Sequence, residues 1–178
     1  GGFSLKASPD YHFKCPIVIF NYFSGVLKNK MINNSEIINM SKNSNATVIE
    51  YLIDESSGCF FKNTFKYLNI EEGASLDYYF INKNESTNFF YDFSKVKLSN
   101  NASFKKYKFS SGIKFNKSES NIELNGINSC GEVYSGLFLN RNNHQEIKTN
   151  IQHLKPSCQS HQDIKNVLTT GSKGVFQG

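Results

Sequence analysis

The sequence predicts an all-β solenoid, a parallel β-helix with coils of about 28 residues. Three observations predict it. A small residue recurs every 28 positions, at Ala46, Ala74, Ala102, Cys130 and Cys158. Each follows a turn former (Asn45, Gly73, Asn101, Ser129, Ser157), the residue types that tolerate a sharp or left-handed backbone. Between these points apolar and polar residues alternate with period two, the signature of strands with one buried face.

The elements follow in order. Pro9 and Pro16 flank PIVIFNYF, which reads as an entry strand. KNKMINNSEIINMSKNSN is the most polar stretch and reads as a loop or irregular coil. Each later unit reads as strand, corner, strand and polar connection. NATVIEYLI, GASLDYYFI, NASFKKYKF and SCGEVYSGLFL follow the corners. Leu68 with Ile70, Val96 with Leu98, and Ile122 with Leu124 precede them. On the 28-residue step, Val48, Leu76 and Phe104 share one column, and Tyr51, Tyr79 and Tyr107 another. Ile53, Ile81, Phe109 and Leu137 form a third, and Leu68, Val96 and Leu124 a fourth. Stacked columns lie ~4.8 Å apart, the spacing of paired strands. Two residues break the pattern: Glu132 falls in the first column, and Lys165 takes a place due to an aliphatic. The chain, residues 1–178, reads as one domain, a solenoid incomplete at its C-terminal end.

Composition narrows the function classes. The net charge is +5, but lysines supply it, spread among asparagines, and Arg141 is the only arginine. Phosphate and base readers rely on arginine forks, so no nucleic-acid partner is expected. No apolar run approaches the ~20 residues of a membrane-spanning helix, and the first residues do not read as a signal peptide. Four cysteines without a CxxC motif read as reduced thiols, in the cytoplasm or a plastid stroma.

The stretch IQHLKPSCQSHQDIKNVL carries His153, Cys158 and His161. On a strand, spacings of five and three put side chains on opposite faces, although a bend at Pro156-Ser157 repairs the first pair. No catalytic group and no self-contained metal site are expected. Cys158 and His153 are the only candidates for contact with iron or sulfur. The register instead makes Cys158 the fifth occupant of the small-residue column, where a buried thiol acts as a small hydrophobe.

HLKPSCQSHQDIKNVLTTGSKGVFQG resembles the core motif of the SufB/SufD family of the SUF iron–sulfur cluster assembly machinery. The motif runs H-x2-P-x-C-x-S, then a Lys followed by x-V-L, then G-x-F-x-G. Here His153, Pro156, Cys158, Ser160, Lys165, Val167, Leu168, Gly174, Phe176 and Gly178 occupy those positions. The cysteine after P-x is closer to the SufD side. The resemblance implies a right-handed parallel β-helix and a non-catalytic, SufD-like scaffold subunit. Its implied partners are a SufB-like paralogue and a SufC-like ABC ATPase. It implies structural roles for the motif residues. The iron–sulfur cluster would reside transiently on the parent complex, with no cofactor bound by this chain alone. The family's junction and ATPase-docking segments follow G-x-F-x-G, so none of their residues is carried over, and the free coil end implies possible self-association. The competing readings are a polysaccharide-processing β-helix enzyme and an adhesin. The enzyme would need clustered carboxylates on an outer groove, whereas Asp54-Glu55 and Glu71-Glu72 are out of register.

Overall fold

The computed structural model describes residues 1–82, 85–140 and 142–178. The described residues form strands β1 Gly2–Ala7, β2 Ile17–Val26, β3 Met31–Met40, β4 Asn45–Ser57, β5 Phe61–Ile70, β6 Ser75–Asn82 and β7 Ser86–Leu98. They continue with β8 Ser103–Ser111, β9 Ile113–Leu124, β10 Cys130–Leu139, β11 His144–His153, β12 Gln159–Leu168 and β13 Lys173–Gln177. Odd strands build a seven-stranded sheet and even strands a six-stranded one, every pairing parallel. The chain alternates between the two sheets, so consecutive strands make one coil of a parallel β-solenoid. Among the described residues no helix is long and apolar enough to cross a membrane.

The polar segment expected to be a loop contains β3. Glu36, Ile38 and Met40 face inward there and are 2%, 1% and 0% exposed. Alternation was present, but one inward position is a glutamate, which makes the stretch look uniformly polar.

The small-residue column exists, with Ala74, Ala102 and Cys158 where a constant period puts them and with two other members displaced. Asn45 pairs with Ser75, Ser75 with Ser103, Ser103 with Cys130, and Cys130 with Gln159. The coil lengths are therefore 30, 28, 27 and 29 residues. The column runs Ser44, Ala74, Ala102, Ser129, Cys158. Its ladder of backbone bonds confirms it: the amides of Ser75, Ser103, Cys130 and Gln159 donate to the carbonyls of Ser44, Ala74, Ala102 and Ser129. Ala46, beside Leu76, and Cys130, beside Ser103, stand outside the row, contrary to the 28-residue expectation. Serines serve as small residues because each hydroxyl is satisfied at its own corner, Ser44 Oγ donating to Ser41 O (2.6 Å) and Ser129 Oγ to Gly126 O (2.8 Å). The residue before each member, Asn43, Gly73, Asn101, Asn128 or Ser157, has a left-handed backbone (φ 57°, 68°, 56°, 58° and 60°), which suits Asn and Gly best.

The true register explains both irregularities. Glu132 lies beside Lys105 and His161 on the outer face, where Lys105 approaches it at 3.6 Å and the Tyr134 hydroxyl donates to it at 2.6 Å. Lys165 also points outward and pairs with Asp163 at 3.0 Å. Leu124 joins Leu98 and Ile70, while Ile122 takes the place beside Val96. Tyr51 belongs beside Ile81 and stacks on Phe20, so the outer tyrosine ladder is Tyr79, Tyr107 and Tyr134, with ring centroids 4.4 and 5.0 Å apart. Leu137 turns inward beside Ser110, away from outward Phe109.

Near the small-residue corner the interior is apolar. Leu68, Val96, Ile122, Ile70, Leu98 and Leu124 face Val48, Leu76 and Phe104, all at 2% exposure or less. Stacking is tight at Gly126, where an added Cβ would sit 2.0 Å from Asn100 N and from Ser99 C. Backbone cannot yield as a side-chain tip does. Gly126→Ala is expected to cost about 1–3 kcal/mol as a local overpacking strain, read as a lowered denaturant midpoint.

Candidate functional site: a buried charge cluster and the last-coil motif

Away from the apolar corner the same inward alternation brings in polar residues. From the odd-strand sheet come the columns Glu36–Lys66–Ser94–Ser120–Thr149, Thr64–Asp92–Ser118 and Lys62–Phe90–Asn116–Gln145. The even-strand sheet answers with Val48–Tyr78–Lys106–Val133 and Glu50–Phe80–Lys108–Ser135.

Lys66 is the hub. Its ammonium pairs with Glu36 at 2.9 Å and with Glu50, and donates to the Tyr78 hydroxyl at 2.7 Å. The Tyr78 hydroxyl in turn donates to Glu50. Burial opposes the charge on Lys66, but Glu50, Tyr78 and Glu36 outweigh it and hold its pKa well above the ordinary lysine value. Burial also works against the Glu50 carboxylate, yet Lys66 and Lys62 prevail and keep its pKa below normal. For Glu36 burial wins over Lys66, and its pKa rises. Tyr78 is pushed well up by burial and by Glu50. Asp92 resists burial through Lys62, Lys66, Lys108 and Lys106, which lower its pKa.

The remaining lysines are differently placed. Lys106 donates to the hydroxyls of Ser120 (2.8 Å) and Ser94 (3.4 Å). Burial, with Lys108 and Lys66 adding repulsion, brings it down to about 7. Lys108 is brought down by burial to about 8, against the pull of Asp92. Lys66, Asp92, Ser94, Lys106, Lys108 and Ser118 line an internal cavity with ≈ 20 Å³ open to the centre of a water molecule. Further along, Thr64 Oγ1, both amide atoms of Asn116 and Gln145, and Thr149 Oγ1 are buried without a protein partner.

The last-coil motif sits apart from this cluster, at the apolar corner. His153 follows Leu124 in an inward column, and Ser160 follows Gly131 in the facing one. His153 Nε2 and Ser160 Oγ are 2.9 Å apart. Cys158 ends the small-residue column, its Sγ 3.3 Å from Gly126 O and 3.4 Å from Ser129 Oγ. The corner at Pro156-Ser157 thus turns His153 and Cys158 to the same side, while His161 points outward against Tyr134 (centroids 5.6 Å). The Pro156 carbonyl accepts from Asn128 N at 3.4 Å. Gly174 lies under Leu168 and Leu139, where a Cβ would come within 3.2 and 3.3 Å. Phe176 stacks beneath Ile147, and a Cβ at Gly178 would meet the Phe176 ring at 3.0 Å. Lys165 and Val167 face solvent, the lysine side chain 78% exposed and Val167 59% exposed. Among the described residues no group of three His, Cys, Asp or Glu side chains converges as a metal site.

A family model described as SUF system FeS cluster assembly, SufBD core domain, matches residues 23–178. The chain belongs to the SufBD core-domain family. No curated protein matches it. The match takes in the charge cluster and the whole last-coil motif, and leaves out only β1, the first turn and most of β2. In this SufBD core the motif residues form the last coil, where Cys158 and Gly174 are half-buried and His153, Ser160, Leu168 and Phe176 are exposed. The charge cluster escaped sequence reasoning, although its signal was present. Lys66 stands two before Leu68, Glu50 two after Val48, and Lys106 and Lys108 follow Phe104 in steps of two. Each is a charged residue at an inward position.

Cys158→Ser is expected to shift stability by less than about 1 kcal/mol, because the hydroxyl can donate to Gly126 O as Ser129 already does. Thermal melting checks this.

Proposed function

We propose that this SufBD core is a non-catalytic, SufD-like scaffold of the SUF system that pairs with a SufB-like paralogue and serves a SufC-like ABC ATPase. The family match over residues 23–178 carries the reading. The cysteine at the P-x-C position of the last coil favours the SufD side. A solenoid whose coils are stapled internally by Lys66, Glu50, Glu36 and Tyr78 is suited to transmit force between partners without local melting. The cluster would reside on the assembled complex, in a cytoplasm or plastid stroma, with no resident cofactor in this chain. Self-association of the isolated core belongs to the same proposal and is read by size-exclusion chromatography across a concentration series.

The carboxylates weigh against a polysaccharide-processing reading. Asp54 accepts hydrogen bonds from Ser56, Ser86 and Asn88, Glu55 from Tyr22, and Glu71 and Glu72 from Lys42. These contacts tie them to neighbouring coils rather than leaving a facing pair free. The test is co-purification of the complete gene product with a SufB-like and a SufC-like protein. A stable ternary complex is expected. Elution of the chain alone, under conditions where the other two associate, contradicts the reading.

A further inference from the structure

We propose that the internal cavity beside Lys106 and Lys108 binds one small inorganic monovalent anion of halide size. Four lysines (62, 66, 106, 108) and three carboxylates (Glu36, Glu50, Asp92) act on one another inside the solenoid, which leaves one positive charge in excess. The carboxylates are unevenly shared. Glu36 and Glu50 are engaged by Lys66. Lys106 has only neutral hydroxyls as acceptors, and Lys108 forms no ion pair among the described residues, its ammonium lying 5.4 Å from the Phe80 ring centroid. Lys106 is half-buried, whereas Lys108 is 4% exposed, and a buried cation without a counter-charge either attracts an anion or loses its proton.

The cavity supplies the room. Its ≈ 20 Å³ exceeds the minimum for one water-sized occupant. Lys106 and Lys108 bring ammonium donors to it, and Ser94 and Ser118 bring hydroxyls. Leu68, Phe80 and Phe104 supply the apolar part of the wall, with Tyr78 beside them, and the small volume favours an ion of halide size. Asp92 lines the same space and restricts occupancy to one weakly basic anion placed on the lysine side. Because burial draws Lys106 to about 7 and Lys108 to about 8, binding is linked to retained protons. Affinity is strongest below pH 7 and falls as the pH rises through 8, by about tenfold per unit for each proton lost.

The experiment uses the complete gene product refolded and crystallised in sodium bromide at pH 6.5, with anomalous diffraction at the bromine edge. One interior peak within hydrogen-bonding reach of Lys106 and Lys108 Nζ is expected. Interior density without anomalous signal overturns the proposal. Melting in chloride against gluconate at equal ionic strength gives the second reading. The melting temperature should be higher in chloride at pH 6.5, and the gap should close by pH 9. A gap that is absent at pH 6.5, or equal at both pH values, counts against the site. Lys108→Met should abolish the gap if the variant folds; if it does not, the wild-type measurements decide.

Discussion

Lys66→Ala should destabilise the fold by about 3–5 kcal/mol, the penalty for removing one partner of a buried ion pair. Lys66 is enclosed between two carboxylates and a tyrosine hydroxyl, at 6% exposure. Deleting it strands Glu50, which is 1% exposed, beside Glu36, which is 2% exposed. Urea unfolding should show the lowered midpoint. The pH dependence has a definite sign. In the wild type the Glu50 pKa is depressed in the folded state, so its contribution is present above the unfolded carboxylate value and is lost as pH falls through the folded one. In Lys66→Ala only Lys62 still opposes burial, so that pKa should rise and the variant should gain stability as pH falls towards the carboxylate range. Replacing both partners, Lys66→Met with Glu50→Leu, should recover much of the loss, because it removes the desolvation cost together with the attraction. A single variant within 1 kcal/mol of wild type at neutral pH would mean that the cluster is solvated and not buried.

Phe104→Ala should cost about 3–5 kcal/mol, as expected of a large aromatic deleted from a packed core. Phe104 is 1% exposed, stands between Leu76 and Gly131 in its column, and forms part of the cavity wall beside Lys106. Two losses combine. The ring's dispersion contacts with neighbouring coils vanish, and the space it leaves joins a polar cavity, so water can reach the apolar half. Coils depend on their neighbours for burial, so the effect should spread along the stack. Hydrogen exchange should show amides of β6, β8 and β10 losing protection together, ahead of β1 and β3.

The two effects reflect how the interior is divided, and that division was partly legible in the sequence. Period-two alternation with recurring corners sufficed for a solenoid, because strand periodicity and turn chemistry are local properties. Ala74, Ala102 and Cys158 lie in the row that a 28-residue step predicts. Ala46 and Cys130 do not, because the coil lengths vary between 27 and 30 residues around that step. Serine was the missed occupant: it looks polar, but Ser44 and Ser129 satisfy their hydroxyls at their own corners. The β3 region hides its strand character for a related reason. Glu36 faces inward towards Lys66, a residue on the next coil, and that partnership is invisible until the coils are stacked. In the last coil, the bend at Pro156-Ser157 brings His153 and Cys158 to one side, while Lys165, which breaks the apolar pattern, faces solvent.

Thiol accessibility at positions 129 and 130 tests the coil register most directly. In a background with Cys15, Cys59 and Cys158 replaced by serine, native Cys130 should react with a maleimide in the folded protein. Ser129→Cys, in the same background with Cys130→Ser, should react only after unfolding. Fast labelling at 129 with protection at 130 would restore a constant 28-residue step and contradict the inward row of Ser44, Ala74, Ala102, Ser129 and Cys158.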